Sequence, residues 1–266
     1  MKILLSVVMG SIVNVLVLAI IFSLGTGSDA KGFTYAILIT GCLAALALSP
    51  LGEAFFRLIN GCRAPTLKEE EKLRSIFESV CQDAGLDSQK YDLFVSDEKF
   101  PNAFACGQRT VCVTFTMLAN SSEEQLQGVL AHELAHHVNG DARRLVIFWV
   151  LTVIAQVIAS IGGFISGIFG GDGRDGLWIA SFVLSALVLS FNLLLWAPIK
   201  IGQALGSRQQ EFAADAYAVE VGHGEGLHAA LTSIQPLEGK PRGFMGMIYA
   251  SHPKISERIK RIEAGL

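Results

Sequence analysis

The sequence predicts a mainly α membrane protein: four transmembrane helices plus an α+β domain with a small sheet. Three observations carry this. The chain is 51% hydrophobic and only 17% charged, with a mean hydropathy of +0.46, outside the range of soluble domains. Uncharged stretches cover residues 3–24, 33–51, 145–169 and 177–199, each about the 20 residues that a helix needs to cross hydrocarbon. Between and after them lie polar segments that alternate helical and strand patterns. The predicted organisation is two transmembrane helices over 1–52, a first soluble part over 53–144, a transmembrane hairpin over 145–199 and a second soluble part over 200–266.

The first stretch follows Lys2 and resembles a signal peptide. Its apolar run is too long and no Ala-x-Ala site follows, so it is read as a retained anchor. For the last two stretches a hairpin packed on the soluble part is the alternative, because the loop over 170–176 is short and glycine-rich. Gly163 and Gly167 form a small-x-x-x-small pair suited to close helix packing, within the chain or in a homo-oligomer. Four crossings return both soluble parts to one side. Lys2, Arg57, Arg63, Arg143, Arg144, Lys200 and Arg208 flank the spans there, against Lys31 and Arg174 opposite, so that side is expected to be cytoplasmic. Five cysteines lack Cys-x-x-Cys spacing and read as reduced thiols. The net charge of −3 and the lack of a basic tract argue against a nucleic-acid partner.

In the first soluble part, Thr66 and Glu69 predict a capping box. It opens a helix with Leu67, Leu73, Ile76, Phe77 and Val80 on its apolar face, ended by Gly85. Residues 91–95 and 110–117 read as strands rich in Val and Thr. Ser121 and Glu124 predict a second capping box for the next helix, closed by Gly140.

That helix holds the most informative run, His132-Glu133-Leu134-Ala135-His136. Residues four apart share a helix face, so both imidazoles can reach one metal ion while Glu133 projects beside it as a base for bound water. Composition alone produces such a run in about one of a hundred chains this long, so a third ligand is needed. Helical residues 207–215 supply two carboxylates four apart, Glu211 and Asp215. One can bind zinc while the other accepts a hydrogen bond from a ligand histidine. His137 points elsewhere on the helix and is excluded. Glu123, Glu124, Gln125, Gln127, Asn139 and Asp141 surround the run, which places it outside the hydrocarbon.

Four segments together resemble the HtpX-type membrane zinc endopeptidases, relatives of the CaaX prenyl proteases. They are PNAFACG at 101–107, the His-Glu-x-x-His helix, residues 207–215, and His252-Pro253 followed by Glu257-Arg258-Ile259. The resemblance implies a zincin-like catalytic domain with one Zn2+ per chain on His132, His136 and Glu211, and with Glu133 as base. It also implies that Asp215 supports a ligand and that His252 and Arg258 hold the substrate carbonyl. Asn102, Ala103 and Phe104 fit either an edge strand that pairs with an extended substrate peptide or a simple turn.

The activity that the resemblance implies is endopeptidase cleavage of misfolded or damaged membrane proteins or unfolded polypeptides. The site would face the cytoplasm from the plasma (inner) membrane of a bacterium, with the lipid bilayer as a standing partner. A prenyl-protein processing protease and a non-catalytic membrane adaptor are the two alternatives. Four spans argue against the first, and an intact Glu133 with a full ligand set against the second.

Overall fold

The computed structural model describes residues 27–149, 208–237 and 253–265, with Ile12, Val15, Leu16, Leu18, Ala19, Phe22 and Ser23 of the first apolar stretch. The two stretches expected over 145–169 and 177–199 lie almost wholly outside the described residues, as do Gly163, Gly167 and His252. The chain divides into two compact units, one of Met1–Gly52 and Val146–Gln203, the other of Glu53–Leu145 and Ala204–Leu266.

In the first unit, helix α1 spans Asp29–Ala47 and is, among the described residues, the one helix long and apolar enough to cross a membrane. It buries a stripe of small residues, Gly32 and Ala36, continued by Leu43 and Ala47. A Cβ on Gly32 would lie 2.7 Å from the Ala19 carbonyl oxygen, so only glycine allows that backbone approach. Phe33, Tyr35, Ile37 and Leu38 are exposed. α1 starts and stops earlier than the apolar stretch 33–51. Pro50 disfavours the α conformation at Ser49 and is itself well suited to the first position of a helix. A new helix, α2, accordingly runs over Pro50–Ile59.

In the second unit, a four-stranded mixed sheet has the order β1-β2-β4-β3. Its strands are β1 (Cys62–Arg63), β2 (Asp92–Ser96), β3 (Ala103–Cys106) and β4 (Thr110–Thr114). β2 and β4 run parallel, while β1 and β3 pair antiparallel with β2 and β4 and form the two edges. Every residue of β4 is buried. The strand expected over 110–117 stops at Thr114, whose hydroxyl accepts the Met117 N–H and so caps the short helix α4, Phe115–Asn120. A local side-chain cap there replaces further ladder pairing.

Helix α3 (Leu67–Asp83) opens on the Thr66–Glu69 capping box and ends in a Schellman turn at Gly85, with Leu86 N–H donating to the Cys81 carbonyl. Leu73, Ile76, Phe77 and Val80 are buried, but Leu67 is 91% exposed. A side chain at the first helical position leans back past the helix end and away from the core face.

Helix α5 (Glu123–Val138) is capped by Ser122 with Gln125, one residue later than expected from Ser121 and Glu124. It is buried from Leu126 to Ala135 apart from half-buried Gln127. Asn139 and Gly140 end it, and α6 (Asp141–Trp149) follows. A helix over 208–220, α7, closes at Gly222 and leads to α8 (Gly224–Ile234). The final helix, α9, spans Ile255–Gly265.

The core lies between α5 and the sheet and extends to α3, α8 and α9. It is built from Phe77, Val95, Val111, Leu130, Leu227 and Ile262 among others. α5 and α8 cross at two glycines. A Cβ on Gly128 would fall 2.0 Å from Leu227 N, and one on Gly226 2.0 Å from the Glu124 carbonyl. This gives the glycine-rich segment near 222–226 its packing role.

Candidate active site

Two elements bring the expected ligands together. α5 presents His132 and His136 from successive turns, their rings edge-on with centroids 4.9 Å apart. α7 brings Glu211 between them: its Oε2 lies 3.4 Å from His132 Nε2 and its Oε1 3.6 Å from His136 Nε2. One donor atom from each of the three lies within 4.8 Å of the others. A tetrahedral ion with bonds of about 2.0–2.1 Å separates its ligand atoms by about 3.4 Å, so this cluster fits zinc in size and in donor type.

The surroundings sort the two α7 carboxylates. Asp215 Oδ1 is 2.9 Å from His132 Nδ1, the ring nitrogen away from Glu211. Arg258 on α9 donates to both Asp215 oxygens, at 2.9 and 2.6 Å, and its Nη1 lies 3.4 Å from Glu211 Oε2. His132, Glu133, Glu211, Asp215 and Arg258 are all buried. One guanidinium faces three carboxylates here, an excess of buried negative charge that a divalent cation offsets.

Titration follows the same geometry. Burial and the Arg258 charge act to lower the His132 pKa, but hydrogen bonding with Asp215 and Glu211 outweighs them and holds it near about 9. A cation on Nε2 would displace that proton. Burial would raise the Asp215 carboxyl, yet His132 and Arg258 together hold it below the usual range.

Glu133 lies on the same helix and faces the sheet edge. Its Oε2 accepts the Ala105 N–H at 2.8 Å. Asn102 spends its backbone on β4, donating to Thr114 Oγ1 at 2.9 Å and accepting from Thr114 N at 2.8 Å. Alternation in an antiparallel pair then turns Phe104 and Cys106 toward β4, and the main-chain groups of Ala103 and Ala105 outward. Of the three residues expected on this edge, Ala103 is the one whose backbone faces away from the sheet.

His137 is engaged elsewhere: its Nε2 donates to the Thr110 carbonyl at 2.9 Å, and its ring centroid lies 5.2 Å from that of Tyr91. Burial lowers its pKa. His223 and His228 pair with Asp83 and Glu263.

Two carboxylates escaped the sequence reading. Asp141 Oδ2 stands 3.6 Å from His136 Nδ1, while its Oδ1 accepts from Arg144 Nη1 at 3.0 Å and from Gln210 Nε2. Its signal was faint, a single acid just past the glycine that ends α5. Buried Glu53 receives the backbone of the β3–β4 turn. Its only hint was an acid four residues before Arg57 in an otherwise apolar run.

Comparison with known proteins agrees with this geometry. The model of peptidase family M48 matches residues 67–265. A "Protease HtpX homolog" from Caldanaerobacter subterraneus subsp. tengcongensis is 32% identical over 72% of this chain and 71% of its own length. "Protease HtpX" from Idiomarina loihiensis is 29% identical over 93% of this chain and 94% of its own. The crystal structure of S. mikatae Ste24p shares the fold, with a TM-score of 0.57 at 23% identity, and covers 97% of this chain. The chain spans 64% of the Ste24p chain's length. This chain belongs to peptidase family M48.

Proposed function

We propose that the chain is a membrane-anchored zinc endopeptidase that cuts unfolded polypeptides and damaged membrane proteins. Its site would face the cytoplasm from a bacterial plasma membrane, with four spans as anchor. The observation that carries this reading is Glu133: it sits between two ligand histidines with its carboxylate held at the free edge of β3. The proteases named above, the apolar helix α1 and the positive residues flanking the apolar stretches support the setting.

A bound zinc ion would lower the pKa of its water toward about 7 and polarise the scissile carbonyl. His132, His136 and Glu211 are the residues assigned to hold it. Asp215 accepts the Nδ1 proton of His132 and so selects the tautomer that leaves Nε2 for the metal. An extended peptide pairs with the outward main-chain groups of Ala103, since the Ala105 N–H is given to Glu133, with Asn102 and Phe104 shaping the flanks. Glu133, steadied by the Ala105 N–H, takes a proton from water and hands it to the leaving amine nitrogen. Arg258 holds Asp215 and Glu211 by charge and hydrogen bond, a positioning role. His252 is assigned to the substrate carbonyl as its negative charge develops.

The test compares purified wild type with Glu133→Gln in detergent with added zinc. Wild type is expected to cleave an unfolded polypeptide and to lose activity to phenanthroline. Glu133→Gln should keep one zinc per chain and lose about 10³-fold or more of the cleavage. Full activity in that variant, or a zinc-loaded wild type that cuts nothing, would reject the reading.

A further inference from the structure

We propose that Glu53 is a positioning residue that holds edge strand β3, and through it Glu133, in working register. The proposal rests on the reading of Glu133 as the base. Glu53 lies on α2 at the position where the chain enters its second unit. Its carboxylate is buried and collects an unusual share of donors. Oε2 accepts from Gln108 N at 3.0 Å. Oε1 accepts from Arg109 N at 3.1 Å, Thr110 N at 2.8 Å and Thr110 Oγ1 at 2.6 Å. Arg57, one helical turn on, donates to Thr110 Oγ1 at 2.9 Å and sits 3.8 Å from the same carboxylate oxygen.

These donors belong to the turn that joins β3 to β4. One side chain therefore replaces the pairing that a tight hairpin would supply from its own backbone. The turn is shaped to the carboxylate: Gly107 has φ +65°, and a Cβ there would meet the Glu53 side chain at 2.4–2.6 Å. A carboxylate fixed by four donors cannot swing aside cheaply. Gly107 N–H also donates to the Ala142 carbonyl at 3.1 Å, which ties the turn to the start of α6.

β3 is an edge strand of four residues with one ladder partner, so its far end depends on this turn. Two residues before the turn, the Ala105 amide donates to Glu133 Oε2 at 2.8 Å. The path from Glu53 to the base is thus one turn, one short strand and one hydrogen bond. Displacements of about 1 Å between reacting groups cost about a hundred-fold in rate, so slack in this turn should be read in kcat.

The experiment measures hydrogen exchange, zinc content and peptide cleavage in wild type, Glu53→Gln, Glu53→Ala and Thr110→Val. Glu53→Ala is expected to deprotect the amides of Ala105 and of residues 107–110 while α5 stays protected and one zinc per chain remains. Its kcat should fall about a hundred-fold with a smaller change in KM. Glu53→Gln keeps one acceptor oxygen and should fall between Ala and wild type. Thr110→Val removes the hydroxyl's bonds to Glu53 and from Arg57 but leaves the three backbone donors, preserves volume and should shift exchange in the same direction, which keeps the test decisive if the Glu53 variants fail to fold. Unchanged exchange over 105–110, or loss of protection and zinc throughout α5, overturns the proposal. Deprotection without a fall in kcat also overturns it. If wild type cleaves no peptide, the proposed activity falls, and the Ala105 exchange still decides whether Glu53 holds the strand.

Discussion

The two histidines of α5 are equivalent in sequence and unequal in the fold. His132 is buried in a network that closes on itself: Nδ1 meets Asp215 at 2.9 Å, and Asp215 is clamped by Arg258 from α9. His136 sits nearer the surface, and its carboxylate, Asp141, stands off at 3.6 Å, beyond hydrogen-bond reach. One ring's Nδ1 is held by a carboxylate from a distant helix, while that of the other faces, at longer range, a carboxylate five positions along the same chain segment. The comparison teaches that a ligand pair can combine one rigid arm with one adjustable arm, distinguished by burial and by the distance to the supporting carboxylate and not by sequence spacing.

The largest effect should come from the group both rings share. Glu211→Ala is expected to weaken zinc binding more than about a hundred-fold, beyond the usual cost of losing a supporting partner. Competition with a chromophoric chelator measures it, and near-wild-type affinity would remove Glu211 from the site. Asp215→Asn should come next, breaking the rigid arm. It leaves Arg258 with less buried countercharge, and about 3 kcal/mol of stability is expected to go, with zinc affinity falling about a hundred-fold. Denaturant unfolding of the metal-free protein reads the first effect apart from the second. Asp141→Asn, on the adjustable arm, should cost only about ten-fold in zinc affinity and little stability. An effect equal to that of Asp215→Asn would erase the asymmetry.

The smallest effect is a control far from both rings. Arg63 donates to both oxygens of Glu69 at 2.8 and 2.9 Å and holds its pKa at about 2, down from 4.5. A depressed carboxyl adds stability above its unfolded pKa and loses it as pH falls toward the folded one. The loss should therefore run from about pH 4.5 to about pH 2, and Arg63→Met should flatten that part of the curve. Because Arg63 is a third exposed, the change will be modest. An unaltered acid limb would show that the pair contributes nothing.

What could be read from the sequence follows from these distances. The ligand pair of α5 and the acid pair of α7 are each four residues apart, so local helix geometry reveals them. Which acid binds and which supports came only from the family resemblance and not from spacing, because that depends on α7 docking with Glu211 toward both rings and Asp215 toward one. Glu53 and Asp141 were missed for a related reason. The partners of Glu53 are mostly backbone amides more than fifty residues away, which leave no trace in residue type. The outlines of the helices were legible through caps and apolar spacing. Errors fell where a hydroxyl competed for the backbone: Thr114 ends a strand that Val and Thr would otherwise extend, and Ser122 displaces Ser121 as cap.

The histidine helix and the glutamate helix stand on opposite sides of a long apolar interval in the chain. A ribosome therefore completes the first well before the second emerges. Throughout that interval the growing polypeptide owns two donors of the three, and the clamp on Asp215 is later still. Synthesis order alone thus delays assembly of the three-donor cluster until the interval has been made and the two helices can meet.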